Sequence, residues 1–455
     1  MNHTNLRPFL RAASVLLLIM TLLGVPTMAL AEHDGDPHTQ NVHPMGHDVA
    51  LATLGGFGGA EPDIHTDIAF WGDLAFQGNW DGFRILDISA PGNPKLVSRT
   101  FCDGNQGDVV VWENILVRSW NTPAGTPGAF GAGLTCDGQP VAPGFEGVHI
   151  FDISDLNDPV LVGSVETVCG SHTATLVPDL ANDRLIVYSN VSGGCNWIDV
   201  IEVPLNNPGG ASLIGMVPLV GASACHDMGV ILGKANLAAC ASGAATNVFD
   251  IGDNAIPGGS LESPQFLYTI TEPGVGVGGA WHSAAFTWDG EVIVLGWEPG
   301  GGVAAECEEA DPDVKKSAFF YDATTGAKLG QWTLPRPQTA LENCTIHNYN
   351  IVPLRSGRYV FTHGSYQSGT SVVDFTDPAN PVEVGYSDPP PLPVPPGSPF
   401  CCDVAGAWST YWYRNFMFES NISEGLNVFR LSDRVTAAAM RLPYLNPQTQ
   451  DFTIP

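Results

Sequence analysis

One short phrase recurs along this chain and constrains its fold more than any other feature. Residues 83–89 read Phe-Arg-Ile-Leu-Asp-Ile-Ser, and residues 148–154 and 371–376 repeat this pattern closely. A Pro-bearing loop and a short apolar run follow each copy. Self-similarity at a fixed spacing is the signature of a repeat architecture. Weaker copies, which bring the total to seven, occupy residues 198–203, 247–251, 318–324 and 427–432.

The repeated phrase reads as one strand of a four-stranded unit. Apolar and polar residues alternate along it, and Asp and Ser supply a turn at its end. Another pair of alternating segments, such as 68–71 and 74–77, precedes each copy. The composition agrees, since 52 Gly and 36 Pro accompany only 14% charged residues. We therefore predict an all-β fold, a seven-bladed β-propeller of four-stranded antiparallel blades.

The strand phrase at residues 84–89, Arg-Ile-Leu-Asp-Ile-Ser, resembles the motif of the LVIVD-repeat family of secreted β-propeller proteins. The resemblance extends over residues 60–433 and is closest in the first, second and sixth copies. It implies a propeller fold and export from the cytoplasm. It implies no particular activity, because the family has no single well-defined one.

The first residues have the features of a signal peptide. Arg7 and Arg11 precede an apolar run at residues 12–23, and the small residues of 29–31 provide a cleavage site. We therefore expect a secreted, periplasmic or cell-surface protein with residues 1–31 removed. No later apolar run is long enough to span a bilayer, so no membrane span is expected after removal of the signal.

The mature chain is expected to be one domain behind a short leader. Residues 32–47 are rich in His, Asp and Gly and are predicted to be a disordered, His-rich leader. Residues 48–54 resemble the outer strand that the last blade lacks. We therefore assign residues 48–455 to a single propeller closed by its N-terminal strand.

The charge balance limits the possible partners. The formal net charge is −29 at pH 7, which would repel nucleic acid and anionic membrane surfaces. We therefore expect no nucleic-acid partner, and a small-molecule or extracellular ligand instead.

Histidines fall in register when the copies are aligned on their first two strands. The position just before the innermost strand is occupied by Gln106 in the second copy, by Ala407 in the seventh, and by His in the other five. In a propeller these positions converge on one mouth of the central channel. Clustered neutral imidazoles favour a metal ion as their occupant, although a purely structural role for each ring remains the alternative. The predicted metal ligands are His65, His172, His226, His282 and His347.

The ends of the second strands return to the same face of the ring. Glu298, Glu419 and His363 lie there and are the candidate catalytic residues. Each carboxylate could accept the outer N–H of a ligating imidazole, act as an acid or base, or bind the metal directly.

An all-imidazole site acquired outside the cytoplasm favours copper or zinc, with iron also possible. We therefore predict a metal-dependent oxidoreductase or oxygenase acting on a small substrate. A non-catalytic binding propeller with a structural His cluster is the alternative, and hydrolysis by a zinc-bound water is a third option.

Ten cysteines in an exported chain indicate disulfides. The repeat places most of them in loops on the face that carries the histidines, and this placement predicts four pairs between adjacent blades. Cys401 and Cys402 remain as a vicinal pair, for which a structural disulfide is the main reading. The four predicted pairs are Cys102 with Cys136, Cys169 with Cys195, Cys225 with Cys240, and Cys307 with Cys344.

Overall fold

The structure is a computed structural model. The predicted signal peptide at residues 1–31 and Cys401 lie outside the residues it describes. Those residues are 35–52, 62–191, 194–252, 258–276, 279–393 and 402–454.

The described chain is almost entirely β-structure. Its strands are, in chain order, β1 (Val42–Val49), β2 (His65–Trp71), β3 (Leu74–Asn79), β4 (Gly82–Asp87), β5 (Lys95–Phe101), β6 (Val109–Trp112), β7 (Ile115–Trp120), β8 (Thr135–Cys136), β9 (Gln139–Pro140), β10 (Gly147–Asp152), β11 (Val160–Glu166), β12 (Thr173–Asp179), β13 (Arg184–Asn190), β14 (Trp197–Pro204), β15 (Ser212–Pro218), β16 (Cys225–Ile231), β17 (Leu237–Ser242), β18 (Ala245–Asp250), β19 (Gln265–Ile270), β20 (Gly279–Phe286), β21 (Val292–Pro299), β22 (Ser317–Asp322), β23 (Lys328–Thr333), β24 (Asn348–Ile351), β25 (Val360–Gly364), β26 (Thr370–Asp374), β27 (Val382–Ser387), β28 (Ala407–Tyr413), β29 (Phe416–Asn421), β30 (Gly425–Leu431), β31 (Tyr444–Leu445) and β32 (Thr449–Gln450).

Within the described residues, helical structure is limited to short 3₁₀ turns. No helix within the described ranges is long and apolar enough to cross a membrane. The 3₁₀ turns lie at Leu180–Asn182, Pro208–Gly210, Gly300–Gly302, Asp313–Lys316 and Arg434–Thr436.

The strands pair mainly with their neighbours in sequence. The largest sheet has eight strands and contains two sets of four, which are joined where β24 and β28 pair in parallel. A short hairpin of β8 and β9 stands apart from the main sheets. The main sheets have the orders β31-β2-β3-β4-β5, β6-β7-β10-β11, β12-β13-β14-β15, β32-β16-β17-β18-β19, β20-β21-β22-β23 and β1-β30-β29-β28-β24-β25-β26-β27.

The repeated phrase forms the third strand of its sheet, as its alternation predicts. In β4, the apolar residues Ile85 and Leu86 are fully buried, and the Asp87 carboxylate accepts a 2.8 Å hydrogen bond from the Ser89 backbone N–H. The same Asp turn closes β10 at Asp152 and β26 at Asp374. The repeated Asp is therefore a turn residue of the fold and not a site residue.

The first strands of the sheets contact one another in a closed order. This order is β2, β6, β12, β16, β20, β24, β28 and β2 again. Apolar side chains fill the spaces between neighbouring sheets. For example, the rings of Phe70 and Tyr413 stack with their centroids 4.6 Å apart. The fold is all-β and propeller-like.

The N-terminal strand joins the sheet that contains the last copy of the phrase. β1 pairs antiparallel with β30, and the Asp48 carboxylate forms an ion pair with the buried Arg84. The closing strand is thus Val42–Val49 and not residues 48–54. The predicted disordered leader, residues 32–47, accordingly includes most of this strand. A Cβ at Gly46 would lie 2.5 Å from the Gly92 carbonyl carbon, so this close approach needs a glycine.

The C-terminal segment runs along the inside of the ring of first strands. β31 pairs with β2 and β32 pairs with β16. Between them, Asn446 accepts a hydrogen bond from the Val111 N–H and donates one to the Val111 carbonyl. Gln450 likewise accepts a hydrogen bond from the Phe286 N–H and donates one to the Phe286 carbonyl. These contacts place the segment inside the ring, where its polar side chains replace missing β-ladder partners.

Candidate functional site

Four histidines lie side by side where consecutive first strands begin. The ring centroids are 4.3 Å apart for His172 and His226, 3.9 Å for His226 and His282, and 4.1 Å for His282 and His347. His226 and His282 belong to β16 and β20, and His172 and His347 are the residues just before β12 and β24. The structure therefore brings together four of the five predicted imidazoles; we call them the imidazole cluster.

The imidazole cluster is buried and held in its neutral form. Its members are at most 8% exposed. Burial lowers the pKa of His226 to about 4 and that of His347 to about 3. The pKa values of His172 and His282 are lowered by burial and by the neighbouring imidazoles. The cluster thus presents neutral nitrogens with lone pairs.

Several of these nitrogens have no protein partner. Nδ1 of His172, His226 and His282 is buried without a hydrogen bond, and so is Nε2 of His347. His347 uses its Nδ1 on the Trp408 carbonyl oxygen. Buried polar atoms are normally paired. The free nitrogens therefore leave room for a bound group.

Glu298 is the carboxylate closest to the cluster. Its Oε2 lies 3.8 Å from His282 Nε2, and its Oε1 lies 3.7 Å from His347 Nε2. The Tyr366 hydroxyl donates a 2.5 Å hydrogen bond to Oε1. Burial raises the pKa of Glu298 to about 7, and the Tyr366 bond opposes the shift. Ligand atoms of His226, His282 and Glu298 all lie within 4.8 Å of one another, which suits a metal ion.

The cluster forms the floor of a cavity of about 620 Å³. Four aromatic side chains line it, and no lysine or arginine is among the described residues that do so. Glu298 is the only carboxylate in this lining. A cavity of this size suits a small molecule. Its aromatic lining residues are Trp80, Phe130, Tyr366 and Trp408.

His65 lies outside this cluster because β2 has a different register. In β2, His65 pairs with Asn79, and the equivalent pair in β16 is Cys225 with Ser242. His226 is the next residue and occupies the extra position of a β-bulge between Cys225 and Asp227. The His65 Nε2 instead contacts the Ala50 carbonyl oxygen at 2.8 Å. His65 therefore aligns one residue before the imidazole cluster, and the structure does not bring it into the cavity.

The same shift applies to the seventh copy, where sequence alignment assigned Ala407. Ala407 pairs with Asn421 and Ser409 with Ser420, so the bulge residue is Trp408. Its indole lies 5.0 Å from the His347 ring and lines the cavity. Gln106, the other non-histidine position, also lines the cavity.

Glu419 and His363 lie apart from the cavity. Glu419 is 2% exposed and accepts hydrogen bonds from Thr370 and Asn427 in the packing between two strand sets. His363 is fully buried, its Nδ1 contacts Ser365 Oγ at 2.8 Å, and its ring packs 5.0 Å from Trp332. Of the three candidate catalytic residues, only Glu298 is therefore beside the imidazole cluster.

Tyr366 was missed by the sequence reasoning. It comes from the loop between β25 and β26, packs 4.5 Å from the His347 ring and bonds Glu298. Tyr366 has no equivalent position in the other copies of the repeat. In the sequence, only its position three residues after His363 indicates that it lies on the face with the histidines.

The four predicted disulfides are present. One correction applies: Cys225 and Cys240 join the neighbouring strands β16 and β17 of one sheet, not adjacent blades. Cys402 is also disulfide-bonded, and its predicted partner Cys401 lies outside the described residues.

Comparisons with known proteins address the repeat and the fold. No curated protein matches the sequence. The chain is similar to a chain of the mitotic checkpoint complex, at 13% identity with a TM-score of 0.49 over 85% of this chain and 95% of that one. For Raptor of Chaetomium thermophilum the values are 12% and 0.49, over 86% of this chain and 29% of that one. For the WD40 β-propeller domain of Doa1 they are 9% and 0.47, over 88% and 99%.

The family comparison concerns the repeated phrase itself. The LVIVD repeat model matches residues 65–100 and 141–167, which contain β4 and β10. These two segments are the first two copies of the phrase. The chain is therefore a propeller-like protein that carries LVIVD repeats.

Proposed function

We propose that the chain is an exported propeller whose imidazole cluster binds a transition metal and serves a metal-dependent oxidoreductase or oxygenase. The observation that carries this proposal is the row of four neutral, buried imidazoles, three of which have an unpartnered Nδ1, beside a carboxylate. Copper and zinc suit such a site best, and iron is also compatible with it. His172, His226, His282 and His347 would hold the ion.

The wider architecture in this proposal is a ring of seven four-stranded blades. The closed order of seven first strands supports it. The eight-stranded sheet would supply two blades, because its halves meet through only two parallel residue pairs, Asn348 with Ser409 and Tyr349 with Thr410. The blade that contains the first copy of the phrase would consist of β2 to β5, with β31 added as an inner strand.

Export is the second part of the proposal. Four disulfides between described cysteines suit an oxidising compartment outside the cytoplasm. Three of them join segments outside the main sheets, and the fourth joins β16 to β17. A cytosolic protein of this size would not be expected to keep so many disulfides.

Glu298 would act beside the metal. Its contact with Tyr366 fixes one oxygen, and its proximity to His282 and His347 lets it offset the charge of a bound cation. A transition metal in such a site supplies Lewis-acid or redox chemistry to a substrate or to dioxygen. The chain itself would bind the small substrate in the aromatic-lined cavity and exclude bulk water from the imidazole cluster.

The alternative is a non-catalytic binding propeller with a structural imidazole cluster. Buried histidines outside the cluster, such as His65 and His363, also have one nitrogen without a partner, so an unpartnered nitrogen alone does not indicate a metal. The convergence of ligand atoms of His226, His282 and Glu298 within 4.8 Å favours the metal over this alternative.

Metal analysis of the purified mature protein tests the proposal. After equilibration with Cu²⁺, Zn²⁺ and Fe²⁺ in turn, we expect about one equivalent of at least one ion per chain. His226→Ala and His282→Ala should each lose most of it. His149→Ala is the matched control, since His149 is also buried but lies outside the imidazole cluster.

Oxygen uptake separates redox chemistry from simple binding. The metal-loaded protein is mixed with panels of thiols and phenols, and consumption above that of His282→Ala supports the oxidoreductase. Less than half an equivalent of every ion would overturn the metal site. Full occupancy with no oxygen uptake on either panel would overturn the redox assignment and favour the binding alternative.

A further inference from the structure

A second level of polar side chains lies one residue deeper than the imidazole cluster. In β16 and β20 the bulge histidines are followed by Asp227 and Ser283, each paired with the second strand. Each of the other first strands also has a polar residue near its start, next to its first apolar residue. This polar level consists of Asp67, Asp108, Thr173, Asp227, Ser283, Asn348 and Ser409.

A small cavity separates the two levels. Its volume is about 10 Å³, which is close to the space that one water molecule or one ion occupies. The imidazoles of His172, His226 and His282 line one side of it. On the other side, the oxygen-bearing side chains that line it include Asp67, Asp108 and Asn348.

Two oxygen atoms in this lining have no hydrogen-bond donor. Asp108 is 4% exposed and its Oδ1 has no partner, while its Oδ2 accepts the Ala174 N–H at 2.7 Å. Asn348 is 5% exposed and its Oδ1 is also unpartnered. An unmade bond at a buried acceptor costs about 1–3 kcal/mol. A donor, which includes a proton on Asp108 itself, or a cation in the cavity would satisfy both groups.

The buried charge at this level points to a cation. Asp67, Asp108 and Asp227 are all at most 4% exposed, and within the described chain none forms an ion pair with a lysine or arginine. Burial raises the pKa of Asp67 and of Asp108, and the neighbouring Asp67 carboxylate adds to the shift at Asp108. Buried carboxylates are seldom left without a counter-charge.

Asp67 is further fixed in place from the inside of the ring. Gln448, from the C-terminal segment, donates a 2.8 Å hydrogen bond to Asp67 Oδ2, and the Ile68 N–H bonds Oδ1. Both bonds orient the carboxylate without adding positive charge. The side chains of Tyr411 and Ser409 also hydrogen-bond this carboxylate, so the unpartnered oxygens of the cavity are those of Asp108 and Asn348.

We propose that Asp67, Asp108 and Asn348 bind a hard divalent cation, of the Ca²⁺, Mg²⁺ or Mn²⁺ class, in this small cavity. The ligand set is all oxygen, which such cations prefer, in contrast to the nitrogen set of the imidazole cluster. The ion neutralises two of the buried carboxylates and ties β2, β6 and the start of β24 together. This site is separate in chemistry from the proposed transition-metal site and does not depend on it.

The test measures hard cations on the full mature protein. The protein is stripped with a chelator, equilibrated with Ca²⁺, Mg²⁺ or Mn²⁺, freed of unbound ion by gel filtration and analysed for metal content. We expect about one equivalent of at least one of the three ions. Asp108→Asn should reduce it at least fivefold. Asp227→Asn is the matched control, because Asp227 is equally buried but does not line the small cavity.

The two metal proposals are told apart with His347→Ala, since His347 does not line the small cavity. This variant should lose transition metal and keep the hard cation. If Asp108→Asn does not fold, Asn348→Leu takes its place in the test. This substitution removes an oxygen ligand without changing the charge, and it should reduce the uptake of the hard cation. Uptake below half an equivalent for all three ions would mean that the cavity holds only water, and unchanged uptake by both variants would equally overturn the proposal.

Discussion

The Tyr366 hydroxyl donates a hydrogen bond to Glu298, the carboxylate that lies between His282 and His347. Glu298 belongs to β21 and Tyr366 to the loop between β25 and β26. Their contact sets the position of the one carboxylate in the lining of the large cavity. Several measurements can show what this contact contributes.

Tyr366→Phe should weaken transition-metal binding by about tenfold, because loss of an orienting hydrogen bond at a metal site typically costs 10–100-fold in affinity. The change removes only the hydroxyl oxygen and leaves the ring against His347. Competition titration against a metal-binding dye measures the affinity. Tyr349→Phe is the control, since the Tyr349 hydroxyl bonds the Ser283 and Val294 carbonyls instead. Equal affinity in Tyr366→Phe and the wild type would contradict a role for the contact.

His65→Ala should keep close to the full transition-metal content, because the His65 ring is turned toward the Ala50 carbonyl. His172→Ala should lose most of the metal. The two substitutions remove the same atoms from two buried histidines, so metal analysis of the pair tests the corrected register. A loss of metal in His65→Ala equal to that in His172→Ala would show that the sequence alignment was right.

His363→Gln should change how stability depends on pH. Burial lowers the pKa of His363 to about 3, below its ordinary value of 6.5. Its neutral form therefore contributes stability that is present above pH 6.5 and is lost as the pH falls toward 3. Gln does not titrate, so the advantage of the wild type should shrink by about 1.4 kcal/mol per pH unit below pH 6.5.

Urea unfolding of both proteins at pH 7.5, 6 and 5 gives this difference. His43→Gln serves as a control, because His43 lies in β1 and its contact with Ser432 is exposed. A difference between wild type and His363→Gln that does not vary with pH would mean that His363 is not buried in its neutral form.

Asn446→Leu should lower the free energy of unfolding by about 2–4 kcal/mol, because it leaves both the N–H and the carbonyl of Val111 unsatisfied in the interior. Asn157→Leu changes the same side chain on an exposed turn and should cost little. Urea unfolding monitored by tryptophan fluorescence measures both. A cost below about 0.5 kcal/mol for Asn446→Leu would contradict the placement of the C-terminal segment inside the ring.

The repeat carries much of what the sequence could predict. Its columns brought His172, His226, His282 and His347 into one row, and its loops gave the four disulfide pairs, because both depend only on counting residues between equivalent strands. Each alternating segment also predicted its strand. These features repeat at a regular spacing, so an alignment of the copies is enough to predict them.

The errors arise where single residues break the period. His65 and Ala407 pair with the second strand just before the β-bulge, whereas His226 and His282 occupy the bulge, so His65 and Ala407 were aligned one place early. The closing strand, Val42–Val49, begins six residues before the predicted segment 48–54 and lies outside the repeated copies. Tyr366 and the C-terminal segment occur once each, so no column could reveal them.

The inward position of the C-terminal segment has a consequence for how this protein is made. Synthesis proceeds from the N-terminus, and β1 must wait for β30 before it can pair. The interior of the ring must then wait longer, until Gln450 has been made and can reach Phe286. A chain that folds from its N-terminus can therefore assemble single sheets in succession, but its central interior stays open to water until the segment around Gln450 has been made.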